Sequence, residues 1–217
     1  MTDFAHARKL MVDNQLRTSG ITDRRLLAAM GEVPRELFVP AVRRGLAYID
    51  QAIGLGGVRK LGAPAPFARL LQLAEIEGTD HVLDLGCGTG YSAAVIARLA
   101  GSVVAVEADG ALAATARGAL VAAGAGGVTL VEGAIETAGK AGGPYDLIVI
   151  EGALETVPEA LFAQLKPEGR LVALIAPPGR PAVAHLFARS GKGIAAHRAF
   201  DAMLPPLAVV QEERFVF

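Results

Sequence analysis

His81-Val82-Leu83-Asp84-Leu85-Gly86-Cys87-Gly88-Thr89-Gly90-Tyr91 decides the fold of this chain. An apolar run ends in an acid, three glycines follow at alternate positions, and residues 91–99 read as helix. That is a strand, a turn too tight for side chains, and a helix whose first amides face whatever sits above the turn. An acid at the strand end beside such a turn suits a ligand carrying cationic and hydroxyl groups.

Outward from this turn the chain alternates short apolar runs with alanine-rich helical stretches. Strands are predicted at 82–85, 103–106, 128–131, 146–150 and 171–175, and helices at 91–99, 109–123 and 158–165. The runs are apolar along their length, as expected of a parallel sheet covered on both faces. After Pro177-Pro178 the rhythm changes. Residues 183–188 and 194–200 read as two strands joined around Gly191-Lys192-Gly193, an antiparallel hairpin at the sheet edge. A last strand is expected at 209–217. Before the sheet, Phe4, Ala7, Leu10, Met11 and Leu16 recur at near-helical spacing, giving an amphipathic helix over 3–17 that Gly20 closes. Thr22 reads as the N-cap of a second helix over 23–30, and 43–48 as a further helical turn. The glycines and prolines of 54–66 read as a loop, followed by a helix over 67–76. The expected architecture is a three-layer α/β Rossmann-like fold with a mostly parallel seven-stranded sheet, an antiparallel C-terminal edge hairpin and an N-terminal helical extension. A single domain covers 1–217, with the helical segment and acceptor loop in 1–77 and the α/β core in 78–217.

The bulk composition excludes several classes. The chain has 217 residues, 52% of them hydrophobic, and a mean hydropathy of +0.41. Much of that is alanine, and no run approaches the roughly 18 uncharged apolar residues of a membrane helix. Twenty-one basic and 22 acidic residues leave a net charge of −1, so no nucleic-acid footprint is expected. Residues 2–12 hold Asp3, His6, Arg8 and Lys9 with no apolar core of signal type, and the single cysteine fits a reducing compartment. A cytoplasmic protein is expected. His6, His81, His185 and His197 are scattered without metal-ligand spacing, so no metal is expected.

The glycine turn is not a dinucleotide fingerprint, because Tyr91 stands where G-x-G-x-x-G needs its third glycine; nor is it a P-loop, because no lysine follows Gly90. Glu107 ends the neighbouring strand 21 residues beyond Gly86, where a carboxylate accepts from both ribose hydroxyls of a nucleoside. V-L-D-L-G-C-G-T-G-Y followed by a strand ending in glutamate resembles motif I and the acidic loop of class I S-adenosylmethionine-dependent methyltransferases. Residues 32–40, Glu-Val-Pro-Arg-Glu-Leu-Phe-Val-Pro, with 21–30, 45–48 and 159–172, resemble the protein-L-isoaspartate O-methyltransferase family. The resemblance implies S-adenosylmethionine as cofactor, held by Asp84, Gly86, Cys87, Gly88, Thr89, Gly90, Glu107 and Ala108, with Gly133 and Ala134 at the adenine. It also implies an isoaspartyl carboxylate of a protein or peptide as methyl acceptor, and a homodimer is among the expectations.

Two departures bear on this. The family's G-Q-T-I-S-Q-P acceptor loop reads Val58-Arg59-Lys60-Leu61-Gly62-Ala63-Pro64 here, without the hydroxyls, and its V-G-D-G reads Val131-Glu132-Gly133-Ala134. Arg59 and Lys60 either replace the lost donors, since a cation pairs well with a carboxylate, or are solvated loop charges. Glu132 or backbone groups would hold the base. Glu151, ending the fourth strand, is a base, a partner of the methionine amino group, or a turn cap. A carboxylate acceptor is already ionised at neutral pH and needs no base, whereas a hydroxyl, amine or thiol would. Methylation of another protein or small-molecule acceptor, and a cofactor-binding module without turnover, stay open as alternatives.

Overall fold

The computed structural model describes residues 3–191 and 193–207; the strand expected at 209–217 lies outside them. Seven strands form one sheet in the order β5-β4-β3-β6-β7-β8-β9. β3 (His81–Leu85), β4 (Ser102–Glu107), β5 (Thr129–Glu132), β6 (Tyr145–Leu154) and β7 (Leu165–Ile175) run parallel. β8 (Val183–Ser190) and β9 (Gly193–Asp201) complete the edge antiparallel. The order turns from β3 to β4 on one side and to β6 on the other, so the C-terminal ends of these three strands open a crevice at the switch point.

Alternate residues of each strand enter different cores, the period-2 consequence of the pleat. Val82, Val103, Ala105, Leu147 and Val149 join one cluster, which the N-terminal helices, α3 (Pro64–Ala74), α4 (Tyr91–Ile96) and α5 (Gly110–Ala122) complete. Leu83, Leu85, Val104, Val106, Ile148 and Ile150 face the other, covered by α6 (Glu159–Phe162) and the short turn Ala138–Gly142. The helix expected over 158–165 is thus a single turn. Pro167 disfavours helix at Lys166, and Leu165 already pairs with Tyr145 as the start of β7, ahead of an irregular stretch before Arg170 meets Leu147.

The N-terminal segment is stitched onto the sheet layer. α1 (Phe4–Met11) runs on into a wider turn, Val12–Leu16, and α2 (Arg24–Glu32) follows. Asp23, not Thr22, caps α2: its carboxylate accepts from the amides of Arg25 and Leu26. The Thr22 amide instead donates to Gln72 of α3. Arg25 donates to the carbonyls of Ile76 and Leu99, satisfying acceptors at the ends of two core segments.

The stretch expected as a loop over 54–66 is ordered differently. β1 (Ile53–Gly56) and β2 (Arg59–Leu61) form a small antiparallel hairpin. The left-handed φ of +130° at Gly56 and +51° at Gly57 is what lets so short a connection turn. α3 then begins at Pro64, three residues earlier than periodicity alone suggests, because proline lacks the N–H that a first helical turn would leave unpaired. Asp50 accepts from the Ala65 amide and serves as the missing cap.

Candidate active site

The site forms where β3, β4 and β6 end. Gly86, Gly88 and Gly90 take φ of +77°, +59° and +94°, which only glycine adopts without strain. The turn is fastened to β4 by the amides of Gly86 and Cys87, which both donate to the Val106 carbonyl. It is fastened to the N-terminal segment by Thr89, whose hydroxyl donates to the Phe38 carbonyl at 2.6 Å. Tyr91 packs edge-on against Phe38 and tilted against Phe67, so the helix behind the turn and the N-terminal cover share one aromatic cluster.

Three carboxylates meet here: Asp84 and Glu107 are buried and Glu151 is half-buried. Asp84 accepts from the Ser92 hydroxyl at 2.6 Å through one oxygen, and its other oxygen has no partner. Burial pushes its pKa up to about 7, the Ser92 bond opposing and Glu107 adding to the rise. Glu151, near the end of β6, also has a buried oxygen without a partner. Burial and then the neighbouring Asp84 hold its pKa well above the usual carboxylate range, with Arg35 and Arg59 pulling the other way. Glu107, at the end of β4, is fully satisfied: it accepts from the amides of Gly88 at 2.7 Å and Asp109 at 3.0 Å. It also pairs with both terminal nitrogens of Arg59.

Arg59 therefore stands on Glu107 rather than at an acceptor loop. One of its terminal nitrogens donates to the Gly86 carbonyl at 2.9 Å as well. Lys60, next along β2, is exposed on the other face. Ala108, Gly133 and Ala134 lie together across the ends of β4 and β5, where the Gly133 amide donates to the Glu107 carbonyl at 3.0 Å. Glu132 turns away toward Arg117, 3.9 Å from its guanidinium, and leaves backbone groups at that edge. Cys87 is buried, and burial pushes its thiol well up, which disfavours the thiolate that a nucleophile would need.

Further residues shape the site without having stood out in the sequence. Arg35 is fully buried; it donates to the carbonyls of Ala47 and Gly62 and lies 4.6 Å over the Tyr91 ring. An arginine set between the apolar Val33-Pro34 and Leu37-Phe38 is the signal that could have marked it. Leu204 and Leu207 carry no such signal. The segment after β9 crosses back over the site, its Pro205 carbonyl and Leu207 amide pairing with Ala153. A Cβ on Gly62 would lie 2.6 Å from Leu204, and one on Gly86 2.6 Å from Leu207.

The arrangement fits a nucleoside sulfonium. Two buried carboxylate oxygens without partners suit cationic groups. Comparison with known proteins agrees. The family model described as protein-L-isoaspartate(D-aspartate) O-methyltransferase matches residues 6–207. The chain belongs to that family. A protein-L-isoaspartate O-methyltransferase of Methylorubrum extorquens (strain PA1) is 41% identical over 177 residues, 82% of this chain and 77% of its own. One from Roseiflexus castenholzii (strain DSM 13941 / HLO8) is 36% identical over 206 residues, 94% of this chain and 93% of its own. A solved protein-L-isoaspartate O-methyltransferase superposes with a TM-score of 0.82 at 25% identity, covering 93% of this chain and 66% of its own. A Plasmodium falciparum structure in complex with S-adenosyl-L-homocysteine shares the fold, at a TM-score of 0.80 and 20% identity over 93% of this chain and 98% of its own. The isoaspartate O-methyltransferase family comprises S-adenosylmethionine-dependent enzymes that act on proteins. Among the described residues no helix is long and apolar enough to cross a membrane.

Proposed function

We propose that the chain methylates an isoaspartyl carboxylate of a protein or peptide, with its cofactor in the crevice above Gly86–Gly90. The pair Asp84 and Glu151 carries this reading: two adjoining carboxylates, one buried and one half-buried, each with a buried oxygen that has no partner. Glu107, at the next strand end, supplies the acceptor oxygens for ribose hydroxyls. Ala108, Gly133 and Ala134 offer backbone at the adenine edge. The cofactor, when bound, supplies an electrophilic methyl group on a positively charged sulfur.

The chain's own residues then have three tasks. Asp84, buried, and Glu151, half-buried, balance positive charge away from bulk solvent, where such pairing is worth more than at the surface. Leu55 over Gly88 and Leu207 over Gly86 wall the turn with apolar bulk, with Leu204 behind them against Gly62, so a carboxylate nucleophile beside them would shed hydration. The acceptor needs donors and no base, because it is an anion at neutral pH. On the hairpin that replaces the family's hydroxyl-bearing loop, Arg59 faces the turn and is the cation that would hold the acceptor once released from Glu107, while Lys60, exposed on the other face, would act only from the hairpin's outer side. Arg35 fixes that hairpin's far end through the Gly62 carbonyl.

The deciding experiment incubates the protein with methyl-labelled S-adenosylmethionine and either an isoaspartyl peptide or its aspartyl twin. Base-labile methyl ester on the isoaspartyl peptide alone is the expected result. Cofactor binding with no ester on either peptide would reassign the acceptor. A cytoplasmic location and a homodimer remain part of the proposal. For the latter, the edge strand β9, exposed along most of its length, is the surface offered, and sedimentation equilibrium measures it.

A further inference from the structure

Glu107 is the carboxylate a ribose would need, and another group already occupies it. A carboxylate offers about four lone-pair positions. The amides of Gly88 and Asp109 take two of them. Arg59 takes the other two, at 3.3 and 3.0 Å, from a side chain only 13% exposed. No acceptor position is left for two ribose hydroxyls while this fork is in place. The same hairpin covers the turn in a second way: Leu55 lies so close that a Cβ on Gly88 would sit 3.1 Å from its Cδ1. Charge and bulk from one element thus fill the space above the glycines.

That element is built to move. Its strands have four and three residues, they are joined through Gly56 and Gly57, and the register breaks between Gly54 and Gly56. A hairpin of this size is barely stable by itself and holds its place through what it touches. Its landward ends, by contrast, are pinned: Ile53 is in the core, and Gly62 is held by Arg35 and packed on Leu204.

We propose that Arg59 is an internal ligand of the nucleoside site, a latch on Glu107 that ribose hydroxyls displace, and that its release lifts the hairpin from Gly88. The proposal rests on Glu107 being the ribose acceptor. Opening the latch leaves Glu107 hydrogen-bonded by its two amides and by the ribose, while the guanidinium is set free on the acceptor side of the turn. Cofactor binding thereby prepares the cation that holds the acceptor.

The test uses S-adenosylhomocysteine as ligand, calorimetry as the first readout and cleavage by an arginine-specific protease at Arg59 as the second. Arg59→Ala and Arg59→Gln should each bind S-adenosylhomocysteine about tenfold or more tightly than the unaltered chain. They should also melt at lower temperature without ligand, because Glu107 is then left buried without a counter-ion. In the unaltered chain the ligand should speed cleavage after Arg59. Folded variants that bind the ligand no more tightly would overturn the latch, as would ligand protection of Arg59. Binding by the unaltered chain that survives Glu107→Gln unchanged would overturn the ribose assignment instead. Absence of binding by every variant would overturn the cofactor site itself.

Discussion

At the scale of single residues the site is a problem of buried charge. Asp84 has an ordinary carboxylate environment in the unfolded chain and a pKa of about 7 when folded. Between roughly pH 4 and pH 7 the folded protein holds a proton that the unfolded chain has released, so ligand-free stability falls as pH rises through that window. A cationic ligand reverses the preference and drives the proton off. S-adenosylmethionine affinity should therefore climb from about pH 6 to about pH 8, with net proton release on binding. Calorimetry in two buffers of different ionisation enthalpy measures that release; proton uptake would contradict the charge assignment. Asp84→Asn removes the effect at its source. It should leave the ligand-free protein at least as stable at about pH 8, since a buried unpaired charge is gone, and weaken S-adenosylmethionine by about 10- to 100-fold. Asp84, Glu107 and Glu151 were all legible in the sequence, because a carboxylate at a strand end beside a glycine turn is a local pattern. What each one faces was not legible. Glu107 meets a guanidinium from 48 residues earlier in the chain, and no local pattern carries a pairing of that range.

The elements show the same division. The glycine turn, the five parallel strands and the antiparallel edge pair follow from periodicity and turn chemistry; the structure has them all, with β6 running four residues further and β7 starting six residues earlier than expected. The small hairpin β1–β2 escaped, since glycines and prolines at that density read as loop, and three paired residues give no alternation to detect. Its anchor escaped as well. Arg35 links the 3₁₀ turn Arg35–Phe38, the residues before Tyr48 and the hairpin's end through two carbonyls. Arg35→Met keeps the volume and deletes both donors. Urea unfolding should register a loss of about 3 kcal/mol, with the buried Ala47 carbonyl and the half-buried Gly62 carbonyl left unpaired. A loss under about 1 kcal/mol would mean that water or another donor takes over.

For the whole molecule, the sheet and its two cores position the strand ends, and the segment after β9 finishes the site. Pro205 and Leu207 bond to Ala153, and Gly152 gives them room: a Cβ there would lie 2.8 Å from Leu207 Cβ and 2.9 Å from the Pro205 oxygen. Gly152→Ala should accordingly push the segment off the crevice while the sheet persists. The expected readouts are a stability loss of about 1–3 kcal/mol, faster proteolysis beyond Ala202 and weaker S-adenosylhomocysteine binding. Unchanged binding would remove Leu207 from the site. This return of the chain sets a schedule for its biosynthesis. Leu204 to Leu207 emerge after every other described residue of the crevice, and at about 5–20 residues per second they trail the glycine turn by roughly ten seconds. Once Glu151 has emerged, and for the roughly five seconds before Leu207 follows, the nascent protein has its three carboxylates and its glycine turn in hand, yet lacks a wall.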